Sequence, residues 1–252
     1  MDINVIITAA ALGAASIAGS LLGLVVRRIP HKCNDIFLGY CAGMMLAASI
    51  VCLISPAVAM AGTSSWWQAI IGVAAGVALI GLLDIIVPHL HHLTGIDTEA
   101  HKGNASVNRI LLFVAAIAIH KLPEGMASGV VFEGGNIADA YAVAASIALQ
   151  NIPEGLVVVT PLLMIGISAW RAAAAALAVA LIEVAGVIIG NSLGSISGAL
   201  MPMLLGLAGG AMLYVISDEM IPETHSHGYE KSATYALVAG VVTMLMIEHM
   251  FS

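Results

Sequence analysis

The stretch ADAYAVAASIALQNIPEGLVVVTPLLMI, residues 138–165, decides how the rest of the chain is read. It is longer than the roughly 20 residues a helix needs to cross a bilayer, and its only charges are Asp139 at the start and Glu154 near the centre. The apolar residues are continuous rather than alternating, and Ala, Leu and Ile suit a helix, so a membrane barrel strand is excluded. The segment therefore predicts one transmembrane helix with a carboxylate deep inside it.

Runs of the same kind lie on both sides. Between polar or Gly/Pro-marked breaks, the sequence predicts spans at about 3–26, 36–60, 67–87, 109–132, 138–165, 172–190, 200–217 and 233–251. The composition agrees: of 252 residues, 60% are hydrophobic and 9% charged, with a mean hydropathy of +1.03, whereas about a quarter of the residues in soluble domains are charged. A water-soluble globular enzyme is excluded. Eight basic residues also cannot build a phosphate-tracking surface, so nucleic acid is not a partner. The expected fold is all-α: a single transmembrane domain over residues 1–252, a bundle of eight helices in the lipid bilayer with helices 4 and 5 at its centre. The opening MDINVIITAA lacks a basic n-region, and its apolar run is too long for a signal h-region, so it reads as the first membrane helix. Cys33, Cys41 and Cys52 are odd in number and lack CxxC spacing, so no disulfide framework is implied. Small residues such as Gly13, Ala14, Ala15 and Gly19 on helix 1, and Gly206, Gly209 and Gly210 on helix 7, permit close helix packing.

The few basic residues supply the topology. Arg27, Arg28 and Lys32 follow helix 1; Lys102 and Arg109 lie between helices 3 and 4; Arg171 lies between 5 and 6, and Lys231 between 7 and 8. The positive-inside rule places these connections in the cytoplasm and both termini outside. The 3–4 connection, residues 88–108, carries His89, His91, His92 and His101. It reads either as a plain solvated loop or as a weak metal-collecting tract. The cluster DEMIPETHSHGYEK after helix 7, with His225 and His227, falls on the same side.

Ionisable groups inside the spans reduce to His120, Lys121 and Glu124 on helix 4, Glu154 on helix 5 and Glu183 on helix 6. At 1.5 Å per residue all three helices deliver them near mid-membrane. A bare charge there costs at least a few kcal/mol, so the groups are expected to face one another or a water-filled cavity. Helices 4 and 5 share a pattern: HKLPEG at 120–125 and QNIPEG at 150–155 match at Pro, Glu and Gly. The helices run in opposite directions, which makes the repeat an inverted pair, as in many secondary transporters. His120 with Glu124, and Gln150 with Glu154, are spaced i,i+4 and share a face. Pro123 and Pro153 free the carbonyls four residues earlier and are expected to kink both helices. One imidazole, one carboxamide and two carboxylates suit a borderline divalent metal: Zn²⁺, Fe²⁺, Mn²⁺ or Cd²⁺. The competing readings are a hydrogen-bond network that only joins helices, a proton or other-cation carrier using the same acids, and an intramembrane metal hydrolase. The last usually wants an HExxH pair, which does not occur.

At these residues the chain resembles the ZIP (Zrt/Irt-like) family of divalent-metal transporters, in its bacterial GufA-like branch. The resemblance implies a transporter rather than an enzyme, in a bacterial inner membrane, often as a homodimer. It implies passage of metal toward the cytoplasm between helices 4 and 5, with the metal, zinc first, as substrate and no organic cofactor. Carried over by position, His120 and Glu124 match the family's helix 4 ligands, Gln150 and Glu154 those of helix 5, and Met45 a soft ligand on helix 2, with Met44 the alternative. The departure is Lys121. Relatives commonly carry Asn there, which, with residues matching Asn151, Glu154 and Glu183, holds a second metal; an ammonium in its place implies one metal. Glu133 and Asp139 are expected at the entrance, and Asp84, His89, His91, His92, His225 and His227 at the cytoplasmic exit.

Overall fold

A computed structural model describes residues 2–26, 29–86, 121–133, 137–164, 166–196 and 198–251, and the regular structure among them is helical. The principal helices are α1 (Ile3–Val26), α2 (His31–Ala48), α3 (Ser55–Ile86), α4 (121–131), α5 (Ile137–Met164), α6 (Ala169–Ile196), α7 (Met201–Val215) and α8 (Glu230–Phe251). Among the described residues, six stretches are long and apolar enough to cross a membrane. The chain is thus a multi-pass membrane protein. One stretch, His31–Leu83, has 53 residues, about 80 Å if straight, more than twice the bilayer core. It is interrupted at Gly62, whose φ of 61° and ψ of −163° are not helical.

Besides a 3-10 turn at Gly198–Leu200, the described residues include two π-helical turns. Ser49–Ile54 links α2 to α3, and Ile216–Met220 follows α7 and leads into the short helix Ile221–Thr224. Neither was legible in the sequence, where Pro123 and Pro153 were the expected sites of distortion. Pro153 lies inside the helix Ile137–Met164, and Pro123 is the third described residue of α4.

Lipid tails are as apolar as Leu, so helices in a bilayer associate by close packing rather than hydrophobic exclusion. Glycines provide it here. A Cβ on Gly43 would lie 1.9 Å from the Leu237 carbonyl oxygen, so α2 touches α8 backbone to backbone. A Cβ on Gly19 would likewise run into the Ile152 carbonyl, one on Gly76 into that of Leu207 and one on Gly125 into that of Glu183. These contacts join α1 to α5, α3 to α7 and α4 to α6. Each pair is parallel, since partners advance together: Gly39 with Ala233, then Gly43 with Leu237.

Because α1 also packs on α6, the helices form two groups: α1, α4, α5 and α6, and α2, α3, α7 and α8. Every helical glycine that approaches another helix this closely does so within its own group. Contact between the groups runs through α2 and α8 against α5. It also includes a small apolar cavity, about 40 Å³, lined by Leu79 and Leu83 of α3, Leu122 and Met126 of α4, and Leu207 and Ala211 of α7. The outer surface is apolar, with Ile7, Leu21, Ile70, Leu181 and Met246 exposed. Trp66, Trp67 and Trp170 are exposed close to helix ends, as interfacial aromatics are.

Candidate metal centre

The inverted PEG repeat brings α4 and α5 together head to tail. Lys121 Nζ lies 2.6 Å from Glu154 Oε2 and from Asn151 Oδ1, and Gln150 Nε2 lies 3.4 Å from Glu124 Oε1. Numbers rise on one helix as they fall on the other, so the helices are antiparallel. The ammonium also donates to Glu124 Oε2 at 2.6 Å. An ammonium has three protons, and Glu124, Asn151 and Glu154 take all three. This is why a lysine only 2% exposed is tolerated: a buried ion offsets its desolvation only when every donor is satisfied. It does not extend to an interface.

Glu183 of α6 completes the inner layer. Its Oε1 accepts from Asn151 Nδ2 at 2.7 Å and lies 4.0 Å from Lys121 Nζ; its Oε2 accepts from Ser16 of α1 at 2.7 Å. Asn151 Nδ2 also reaches Leu12 O at 3.3 Å. Four helices therefore converge on Lys121 and three carboxylates. The glycine of each PEG motif explains the convergence. Gly125 seats α4 on the α6 backbone at Glu183, and Gly155 seats α5 on α1, where a Cβ would lie 2.7 Å from Ser16 O. The motif places a carboxylate on one face and a docking notch beside it.

Helix α2 supplies the fourth side. Met45 is 1% exposed and belongs to the central apolar cluster with Leu12 and Ile147, whereas the backbone nitrogen of Met44 faces Gly240 of α8. One turn earlier, Cys41 Sγ donates to Gln150 O at 3.6 Å. Sequence reasoning passed over Cys41 and Ser16, because their partners lie 109 and 167 residues away and no local pattern marks them.

His120, His89, His91 and His92 lie outside the described residues, as do the side chains of Asp84 and Asp139. Glu133 is exposed and accepts from Asn191 Nδ2 at 2.8 Å, at the far end of α4 from Lys121. His225 and His227 are not brought to the centre. They sit at the end of the molecule that carries Lys32 and Lys231, where His227 Nδ1 lies 3.0 Å from the buried Asp35 and its ring stacks on His31. Among the described residues, no three His, Cys, Asp or Glu side chains are grouped so as to hold a metal ion; the acids close on the Lys121 ammonium instead. One acceptor stays open: Gln150 Oε1, in a residue 1% exposed, has no hydrogen-bond partner among the described residues.

This arrangement of paired carboxylates on an inverted intramembrane repeat can be compared with known proteins. Residues 87–248, more than half of the chain, match the family model described as ZIP Zinc transporter. The chain belongs to the ZIP family. Relatives in that family include the zinc transporter ZIPB of Bordetella bronchiseptica, 40% identical over 244 residues that cover 93% of this chain and 77% of the relative. The zinc transporter GufA of Myxococcus xanthus is 39% identical over 242 residues, covering 94% of each chain. The human zinc transporter ZIP11 is 27% identical, covering 92% of each. This ZIP chain is therefore similar to transporters along almost its whole length, not only at the PEG motifs.

Proposed function

We propose that the chain carries a divalent transition metal, zinc first, across the membrane toward the cytoplasm through the centre between α4 and α5. The observation that carries this reading is the open Gln150 Oε1, a buried acceptor beside Glu124 that meets no proton among the described residues. A buried acceptor left unpaired is costly, and a cation satisfies it. Charge supports the same conclusion. Three carboxylates against one ammonium leave two formal negative charges over, which one dication neutralises.

In this reading the chain crosses the bilayer eight times, with both termini outside. Glu133 and Asp139 raise the cation concentration at the outer mouth. The metal sheds water onto His120, Glu124, Gln150, Glu154 and Met45, and Lys121 holds the space that a second metal would take. Glu183 and Asn151 tune the ammonium rather than bind the cargo. Glu154, whose side chain is 12% exposed against 0% for Glu124 and Glu183, is the least enclosed of the three acids. The metal leaves past Asp84 toward the His-bearing cytoplasmic segments. Binding requires deprotonated ligands, so uptake falls as the pH drops.

Uptake of radioactive zinc into proteoliposomes tests the proposal. Glu154→Ala and His120→Ala are expected to abolish uptake while both proteins still insert and purify as folded chains. Undiminished uptake in both variants would refute the site, and proton flux without zinc uptake in the unsubstituted protein would favour a proton carrier.

A further inference from the structure

Ser128 lies one turn beyond Glu124 on the same face of α4, and Ser146 lies one turn before Gln150 on the same face of α5. Because the helices are antiparallel, with Glu124 opposite Gln150, both serines fall about 6 Å from the ligand level, on the side toward Glu133. Both are 0% exposed, and their neighbours along the helices, Ala127, Val131, Val143 and Ile147, belong to the buried apolar core. A serine inside a helix commonly returns its proton to a carbonyl three or four residues back. Ser20, Ser49 and Ser146 do so, Ser146 to Val143 O at 2.7 Å. Ser128 does not: its Oγ has no hydrogen-bond partner among the described residues. An orphaned hydroxyl in an apolar plug works against folding, which gives it the character of a residue kept for another purpose.

We infer that Ser128 and Ser146 form an oxygen step on the outer side of the metal centre, where the dication exchanges water for protein oxygen before reaching Glu124 and Gln150. The inference rests on the transport reading. A wholly apolar plug would force the ion to dehydrate before any ligand was in reach. Hydroxyl oxygens resemble the water they replace, and being neutral they do not trap the ion; passage needs sites weak enough to leave. The step therefore acts on the rate of passage and leaves the equilibrium affinity of the centre alone.

Threonine and valine have nearly the same shape and differ in the hydroxyl, so Ser128→Thr and Ser128→Val separate chemistry from bulk. In proteoliposomes at saturating zinc, Ser128→Thr is expected to stay within about twofold of the unsubstituted protein, and Ser128→Val to fall about tenfold. Zinc affinity in detergent should be the same for both. Ser146→Ala should lower uptake in the same manner, and Ser128→Ala should melt no lower than the unsubstituted protein, because it deletes an unpaired polar atom. Equal uptake by the Thr and Val variants, whether high or low, would overturn the inference, as would a loss of zinc affinity with the hydroxyl. The transport reading fails separately, if the unsubstituted protein takes up no zinc or if Glu154→Ala leaves uptake intact.

Discussion

Lys121 holds its three carboxylate neighbours with a single ammonium, and its distances rank them: 2.6 Å to Glu124 and Glu154, 4.0 Å to Glu183. Its depth in helix 4 was readable from the sequence, and so was the need for an acidic partner. Which acid took the proton donors was not, because Glu154 and Glu183 lie on separate helices at equal depth. The difference arises from Asn151, which takes one ammonium proton and donates to Glu183, standing between the two. If Lys121 holds the place of a second metal, as proposed, replacing it by Asn should convert a centre for one metal into a centre for two. The count is checked by elemental analysis of zinc-loaded protein and by anomalous scattering; two metals near Glu154 in the unsubstituted protein would refute it. Lys121→Met is a different experiment. It leaves buried carboxylates without their cation and should cost about 3–5 kcal/mol of stability.

At the level of the helix, the glycines carry as much of the design as the acids. Small residues on helices 1 and 7 were visible as permission for close packing, but permission names no partner. In the structure Gly19 chooses α5, and Gly206 and Gly210 choose Ala69 and Val73 of α3. Gly43 and Gly125 drew no comment as packing residues, because one glycine in an apolar run looks like any other. Gly43→Ala sets a methyl against the Leu237 carbonyl and should cost about 1–3 kcal/mol by overpacking, read as a lower melting temperature in detergent. Gly62 calls for the opposite argument. Nothing lies within 4 Å of its missing Cβ, but its φ of 61° is the left-handed region that other residues enter at a cost. With ψ at −163° the conformation is open essentially to glycine alone, so even Gly62→Ala should cost about 1–3 kcal/mol, read as a lower melting temperature in detergent.

Over the whole molecule, seven basic residues in alternate connections predict one orientation, and it can be read with a membrane-impermeant thiol reagent. Thr63, beside the break at Gly62, and Ser168, just before α6, are both exposed, and the orientation puts Thr63 outside and Ser168 inside. In a background with Cys33 replaced by Ser, Thr63→Cys should label when reagent is added to intact cells, and Ser168→Cys only after lysis. The reverse pattern would invert the proposed direction of the path. The sequence by itself determined the membrane class, the helical fold, the family and the paired PEG motifs on helices 4 and 5. Each of these depends on local quantities: run length against bilayer thickness, charge against lipid, and i,i+4 spacing on one helix. Only the tertiary structure decided which helices pair, that Gly125 and Gly155 dock the motif on α6 and α1, that Ser16 and Cys41 attend the centre, and that Ser128 is left without a partner. Those facts depend on contacts between residues far apart in the chain, and in a bilayer such contacts are settled by the fit of one backbone against another, which no single segment encodes.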